Sequence, residues 1–450
     1  MSRRTQLIFI LVAVTGLALG VPAVAPSVAQ DQTPEVLEPV AKDTGQEQDP
    51  GQIAGLLNPL ATNKKMGKQT GTLIVDAESG STLYDNNGST PLIPASTNKI
   101  PTAVAVLHFA GPNRTLQTTV TRSGNSVFLV GGGDPLLSSR PDKPTPGNPV
   151  YPRSTSMRKL AADTVAQLKS QGATKVALKV DDSFFDGPSW GPGWPADYKV
   201  PGIVAPVSAL IVNDGKVGTW GPITDDPAIQ AGQVFAALLK AKGIAVSGVS
   251  RGRSGNDTQE LASISSAPIY ELVGEALTDS DNQTAENLFR VAGKFAGTGA
   301  SFTGGGQAVQ KALDELGIST VMAQFKDGSG LSRENRLTPS ILTDILRRTV
   351  RSEDGLWPIA SGLAVAGVTG TLQGRFTSLD TDDAAGWLRG KTGTLNYVSA
   401  LAGFVQSRSG RVMAFASIGN EAKSAFETAA QIDKIMAAAA ECGCPGVGGR

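Results

Sequence analysis

The chain has 450 residues, enough for two to four ordinary domains, and 40% of them are apolar. Its 40 Lys plus Arg balance 40 Asp plus Glu, so no net field argues for a nucleic-acid partner. One histidine and two cysteines exclude a disulfide framework and zinc sites of the common kinds.

Arg3 and Arg4 precede an apolar run over 7–25, and Ser27 and Ala29 supply small residues before Gln30. Residues 1–29 therefore read as an export signal, either cleaved or kept as a membrane anchor, and both place the rest of the chain outside the cytoplasm. Residues 30–60 are assigned to a flexible linker, acidic and proline-bearing at first, with a short helix at QIAGLLNPLATN. The run 71–87 predicts a β-hairpin turning at Ser79-Gly80, and 96–111 predicts an apolar helix that accepts Pro101 in its first turns.

Between 116 and 261 short β-like runs alternate with Gly/Pro loops, with helical patterns at 155–171 and 227–242. This segment is expected as an inserted β-rich region, one domain or two. Within it, DDSFFDGPSWGPGWPADY reads as a loop packed by its own aromatic side chains. Helical patterns resume at 267–278, 283–296, 304–316 and 339–352; three strand-like runs (386–394, 397–405, 411–419) and a terminal helix over 422–440 follow. The parts 61–115 and 262–440 are expected to form one split domain. Cys442 and Cys444 lie in the tail 441–450, which reads equally as a small strained disulfide or a loose end.

Three short motifs carry chemistry. Ser96 and Lys99 stand three residues apart, which puts a hydroxyl and an amine on one helix face. A serine nucleophile needs a neighbouring base, and the lone histidine, His108, sits in an apolar helix with nothing marking it as one. Alone, Ser96 reads as readily as a helix cap, and Ser156–Lys159 repeats the pattern. Ser280-Asp281-Asn282 offers a hydroxyl to relay a proton and an amide to hold a peptide carbonyl, though Ser-Gly-Asn turns occur at 123–125 and 254–256. Lys391-Thr392-Gly393-Thr394 puts a cation and hydroxyls on a strand whose glycine lets a substrate backbone approach; the alternative is a lysine guarding a strand edge.

In this order the three match the S-x-x-K, S-D-N and K-T-G signature of class A β-lactamases and penicillin-binding proteins. With LVGGGDPLL (129–137), VDDSFFDGP (180–188), APVSALIVNDG (205–215), DGSGLSRENRLTP (327–339), VAGVTGTLQGRF (365–376) and GKTGTLNYVSALAGFV (390–405), the chain resembles the class C low-molecular-mass penicillin-binding proteins. These are the D-alanyl-D-alanine carboxypeptidases of the DacB type, and the resemblance spans about 70–440. It implies an α/β (α+β) fold: a β-lactamase-like, penicillin-recognising domain with an antiparallel sheet flanked by helices, split by the β-rich insertion.

The resemblance also implies an exported serine peptidase trimming peptidoglycan stem peptides, with D,D-endopeptidase activity as a companion, β-lactams as inhibitors, and no metal or organic cofactor. Ser96 would attack the penultimate D-Ala carbonyl, with Lys99 as base or in a relay with Ser280. Asn282 would orient the substrate amide, Lys391 would add positive potential, and Thr392 and Thr394 would hold the terminal carboxylate. Asp281 and Gly393 count with them as substrate-binding, and the N–H groups of Ser96 and Thr394 would form the oxyanion hole. One departure stands out: Ser96 and Ser280 are 280 − 96 = 184 residues apart, shorter than is usual for this family, so an inserted domain is expected to be trimmed or missing. A serine β-lactamase, or a catalytically idle wall-binding protein on the same fold, are the alternatives. Asp134, Glu286, Asp327, Ser329 and Ser332 are read as structural.

Overall fold

The computed structural model describes residues 50–140, 154–218, 221–350 and 354–441. The expected export segment, the first part of the linker, and Cys442 and Cys444 lie outside these residues. Among the described residues no helix is long and apolar enough to cross a membrane.

The main sheet has six strands in the order Ala364–Val365, Leu388–Leu395, Val398–Gln406, Val412–Asn420, Gln69–Asp76 and Thr82–Asn86, antiparallel throughout. Its central strands are buried on both faces. Alternation along each strand therefore sends successive apolar residues into two different cores. Ile74, Leu401, Val405 and Phe415 enter a layer with Ile53, Leu57, Ile432, Ile435 and Met436 of the helices Pro50–Ala61 and Ala425–Glu441. Leu73, Val75, Ala400, Ala402 and Ala416 enter the larger core on the opposite face. That core is built on the helices Lys99–Ala110, Ile269–Thr278, Asn282–Ala296, Phe302–Glu315 and Pro339–Thr349.

The short helix expected at the end of the 30–60 segment is present as Pro50–Ala61, because Ile53, Leu57 and Ala61 recur every four residues and all bury, so these residues are not linker. The insertion is more than β-rich. Its five-stranded sheet runs Ala245–Arg251, Lys175–Asp181, Ser126–Val130, Gln117–Ser123, Gln259–Ser265, so it continues past residue 261. Two of its pairings are parallel. Parallel neighbours need a crossover, usually a helix, and helices Met157–Ser170 and Pro227–Ala241 lie in those two connections.

Candidate active site

Ser96 lies in a 3-10 turn, Ala95–Asn98, which leads directly into the helix Lys99–Ala110. In a 3-10 turn residues i and i+3 eclipse one another, and Lys99 Nζ stands 3.0 Å from Ser96 Oγ. The turn begins on strain: Ala95 has φ 48°, in the left-handed region that costs a non-glycine residue about 1–3 kcal/mol. Gly330, φ +86°, lies against the Ala95 carbonyl so closely that a Cβ there would run into its oxygen.

Lys99 is 1% exposed. Its three possible donors meet three acceptors: Ser96 Oγ at 3.0 Å, Asn282 Oδ1 at 2.7 Å and the Ser329 carbonyl at 3.0 Å. Burial drives its pKa down to about 8, against the opposing pull of Asp281, Glu286 and Asp327. Lys391 is 0% exposed. Burial and then the charge of Lys99 hold its pKa well below the ordinary lysine value, while Asp279 opposes the shift. Its Nζ donates to the Thr392 carbonyl at 2.9 Å.

The second motif opens the helix Asn282–Ala296. Asp281 is its N-cap, and its carboxylate accepts from the Thr284 N–H. Asn282 follows with both ends of its amide engaged: Oδ1 accepts from Lys99, and Nδ2 donates to the Ile203 carbonyl at 3.0 Å. An NH₂ group carries two protons, so one remains for a substrate carbonyl. Ser280 sits on the tight link between two helices with φ 62°. It makes no side-chain hydrogen bond among the described residues, so the expected Lys99–Ser280 relay is not closed here.

The third motif lies beside the nucleophile. A Cβ on Gly393 would stand 2.7 Å from the Pro94 carbonyl oxygen and 3.1 Å from the Ser96 nitrogen. Only residues 389–390 of this strand pair with the short strand Ala364–Val365, so 391–395 keep one edge unpaired. Thr392 Oγ1 meets Thr371 Oγ1 at 2.8 Å, and Thr394 is exposed.

Several residues absent from the three motifs complete the site. The loop 327–332 is stitched to the nucleophile helix by Asn98 Nδ2 donating to the Asp327 carbonyl (2.8 Å) and Thr102 Oγ1 to the Gly328 carbonyl (2.8 Å). Its turn is held by the Asp327 carboxylate, which accepts from the Gly330 and Ser332 N–H groups, Asn335 Nδ2 and Trp194 Nε1. Glu286 accepts from the Gly328 and Ser329 N–H groups at 3.0 and 2.7 Å. Burial and the neighbouring Asp327 push its pKa up. Both carboxylates thus shape the loop that hands Lys99 the Ser329 carbonyl. Trp194 comes from the aromatic segment 181–198 of the insertion and Ile203 from just beyond it; the Asp186 and Pro188 carbonyls of that segment accept from Arg290. Backbone acceptors leave no side-chain signature, so nothing in the sequence marks Ile203, and Ser329 reads only as a turn residue although its carbonyl holds Lys99.

The alternatives for other residues have structural explanations. Ser156 caps the helix Met157–Ser170 through the Lys159 N–H, and Asp134 Oδ1 accepts from the Leu136 N–H at 2.9 Å in a turn. His108 pairs with Glu315 at 2.7 Å and stands about 18 Å of helix rise from Ser96.

Fold and site together define a serine hydrolase of the penicillin-recognising fold, in which an amine rather than an imidazole stands beside the serine. The sequence pattern of the D-Ala-D-Ala carboxypeptidase 3 (S13) family matches residues 54–220 and 222–441. Carboxypeptidase DacB of Mycolicibacterium smegmatis is 35% identical over 406 residues, covering 87% of this chain and 84% of that protein. Penicillin binding protein 4 (dacB) of Haemophilus influenzae has the same fold, with a TM-score of 0.70 at 22% identity over 86% of this chain and 98% of that one. A second crystal structure of that protein, complexed with a β-lactam, matches with a TM-score of 0.65 at 20% identity, over the same shares of the two chains. The chain belongs to the D-Ala-D-Ala carboxypeptidase (S13) family; it is a serine-type carboxypeptidase.

Proposed function

We propose that the protein is an exported D-alanyl-D-alanine carboxypeptidase that trims peptidoglycan stem peptides through an acyl-enzyme on Ser96. The observation that carries this reading is the 3.0 Å contact between Ser96 Oγ and the buried amine of Lys99. In its neutral form Lys99 accepts the Ser96 proton as Oγ attacks the penultimate D-Ala carbonyl. The tetrahedral oxyanion is met by the N–H groups of Ser96 and Thr394, a role supported by the approach of Gly393 to the Ser96 nitrogen. Collapse breaks the C–N bond, and the proton held at Lys99 passes to the departing D-Ala amine, directly or through Ser280. Water then attacks the ester, with Lys99 taking its proton and returning one to Ser96.

Asn282 supports both halves of the cycle. Its carbonyl fixes the Lys99 amine, and its second N–H proton faces the substrate amide. The unpaired edge at 391–395 suits an extended peptide adding as a strand. Lys391, Thr392 and Thr394 receive the terminal carboxylate there, and Gly393 leaves the space for it. Asp281 acts on the substrate only through the helix start it caps.

A β-lactam acylates the same serine and leaves slowly; the Haemophilus protein, crystallised in complex with a β-lactam, supports the binding of such a ligand. Endopeptidase cleavage of cross-links is a companion activity of the same site. The apolar run 7–25 supports export to the cell envelope. Intact-protein mass spectrometry after penicillin treatment, with mapping of the adduct, tests the assignment. One adduct is expected, on Ser96, absent in Ser96→Ala and much slower to form in Lys99→Ala. An adduct on another serine, or rapid turnover of penicillin, overturns it.

A further inference from the structure

We propose that Thr371 is a substrate-binding residue that acts with Thr392 in selecting a terminal carboxylate; this rests on the carboxypeptidase reading above. Thr371 lies in the turn Gly370–Leu372, outside all three motifs. It is half-buried, beside the strand Leu388–Leu395 at the end of the short edge strand Ala364–Val365. The turn is wedged in place, because Gly370, φ +51°, lies so close to the Thr278 carbonyl that no Cβ fits between them. Thr278 itself is tied back by its hydroxyl to the Gly362 carbonyl at 2.8 Å. One rigid connection therefore spans from the end of the helix before Ser280 to the strand that carries Lys391.

The two hydroxyls are 2.8 Å apart, with Thr392 donating to Thr371. The Thr371 proton then has no side-chain or backbone acceptor among the described residues. A carboxylate has only acceptors, and each hydroxyl carries a single donor. When a carboxylate arrives at this edge, Thr371 can turn its free proton onto it at no cost, and Thr392 can do so by exchanging its bond to the Thr371 hydroxyl for a stronger one to a charged acceptor. A neutral amide or ester terminus has half the acceptor strength and no charge, so it gains less from the same pair. The pair thus discriminates free carboxylates from blocked ones at this edge.

The test compares acylation of Ser96 by penicillin G and by its methyl ester in the full chain, with the ratio of the two rate constants as the readout. Thr371→Val should lower that ratio by roughly tenfold, the usual consequence of removing one hydrogen bond to a charged group. Thr371→Ser, which keeps the hydroxyl, should restore it. With peptides ending in D-Ala-D-Ala, the loss in Thr371→Val should appear in KM more than in kcat. An unchanged ratio in Thr371→Val, or equal losses for acid and ester, overturns the inference while leaving the serine assignment intact. Failure of the wild-type chain to form either adduct on Ser96 removes the carboxypeptidase reading and this inference with it.

Discussion

The buried amine of Lys99 sets a specific pH dependence. Its pKa of about 8 leaves roughly a tenth of the molecules with a neutral amine at pH 7, against about 0.03% for a lysine at its ordinary value. Acylation by penicillin should therefore rise about tenfold per pH unit below 7, reach half its maximum near 8 and level off above 9. A rate that is flat from pH 6 to 10, or still climbing tenfold per unit at pH 10, would refute the argument, because the amine would then either not be the base or not be desolvated. Lys99→Arg separates base from charge, since a guanidinium does not give up its proton in this range. It should lose acylation by roughly 10²–10⁴-fold at every pH, as Lys99→Ala does. Retention of a substantial fraction of the wild-type rate would show that positive charge alone suffices. The shift also acts on stability. The folded amine releases its proton near 8 and the unfolded one near 10.5, so the unfolded chain binds more protons within that window. The contribution is therefore fully present above 10.5 and lost as pH falls through 8, leaving a buried cation that costs on the order of 3 kcal/mol at neutral pH.

Three further substitutions probe the surroundings. Asn282→Ala removes an acceptor from Lys99 and the donor to the Ile203 carbonyl; kcat/KM should fall about 10–100-fold, and the partners left unpaired should cost about 1–3 kcal/mol of stability. Gly393→Ala places a Cβ 2.7 Å from the Pro94 oxygen, pushing strand and nucleophile apart, so penicillin acylation should drop by at least about tenfold; a fully active variant would mean the strand can yield. Trp194→Phe deletes the 2.7 Å bond from the indole N–H to Asp327, and urea unfolding should show a loss of about 1.5–3 kcal/mol.

Much of the architecture is legible in the chain because its cause is local. Nearly unbroken apolar runs over 398–405 and 413–418, each interrupted by one serine, mark strands buried on both faces. The i, i+3 spacing of Ser96 and Lys99 makes their contact a property of one turn. Asp281, read through the resemblance as substrate-binding, caps the helix Asn282–Ala296 instead, whereas the turn chemistry of Asp327 was readable although its partners were not. The parallel pairing inside the insertion was not legible, since the same short strands suit an antiparallel meander until the crossover helices are seen to pack.

The amino-acid sequence by itself determined which chemical groups exist and in what order they occur: a serine one turn before a lysine, a capped helix opening with an amide, and a lysine and threonines on a strand. Tertiary structure alone decided that Lys99 meets Asn282 and the Ser329 carbonyl, across 183 and 230 residues of chain, and that both lysines are sealed from water. Proximity between distant segments depends on the packing of whole layers, and the pKa of an amine depends on how much solvent that packing removes, so neither property resides in any short stretch of residues.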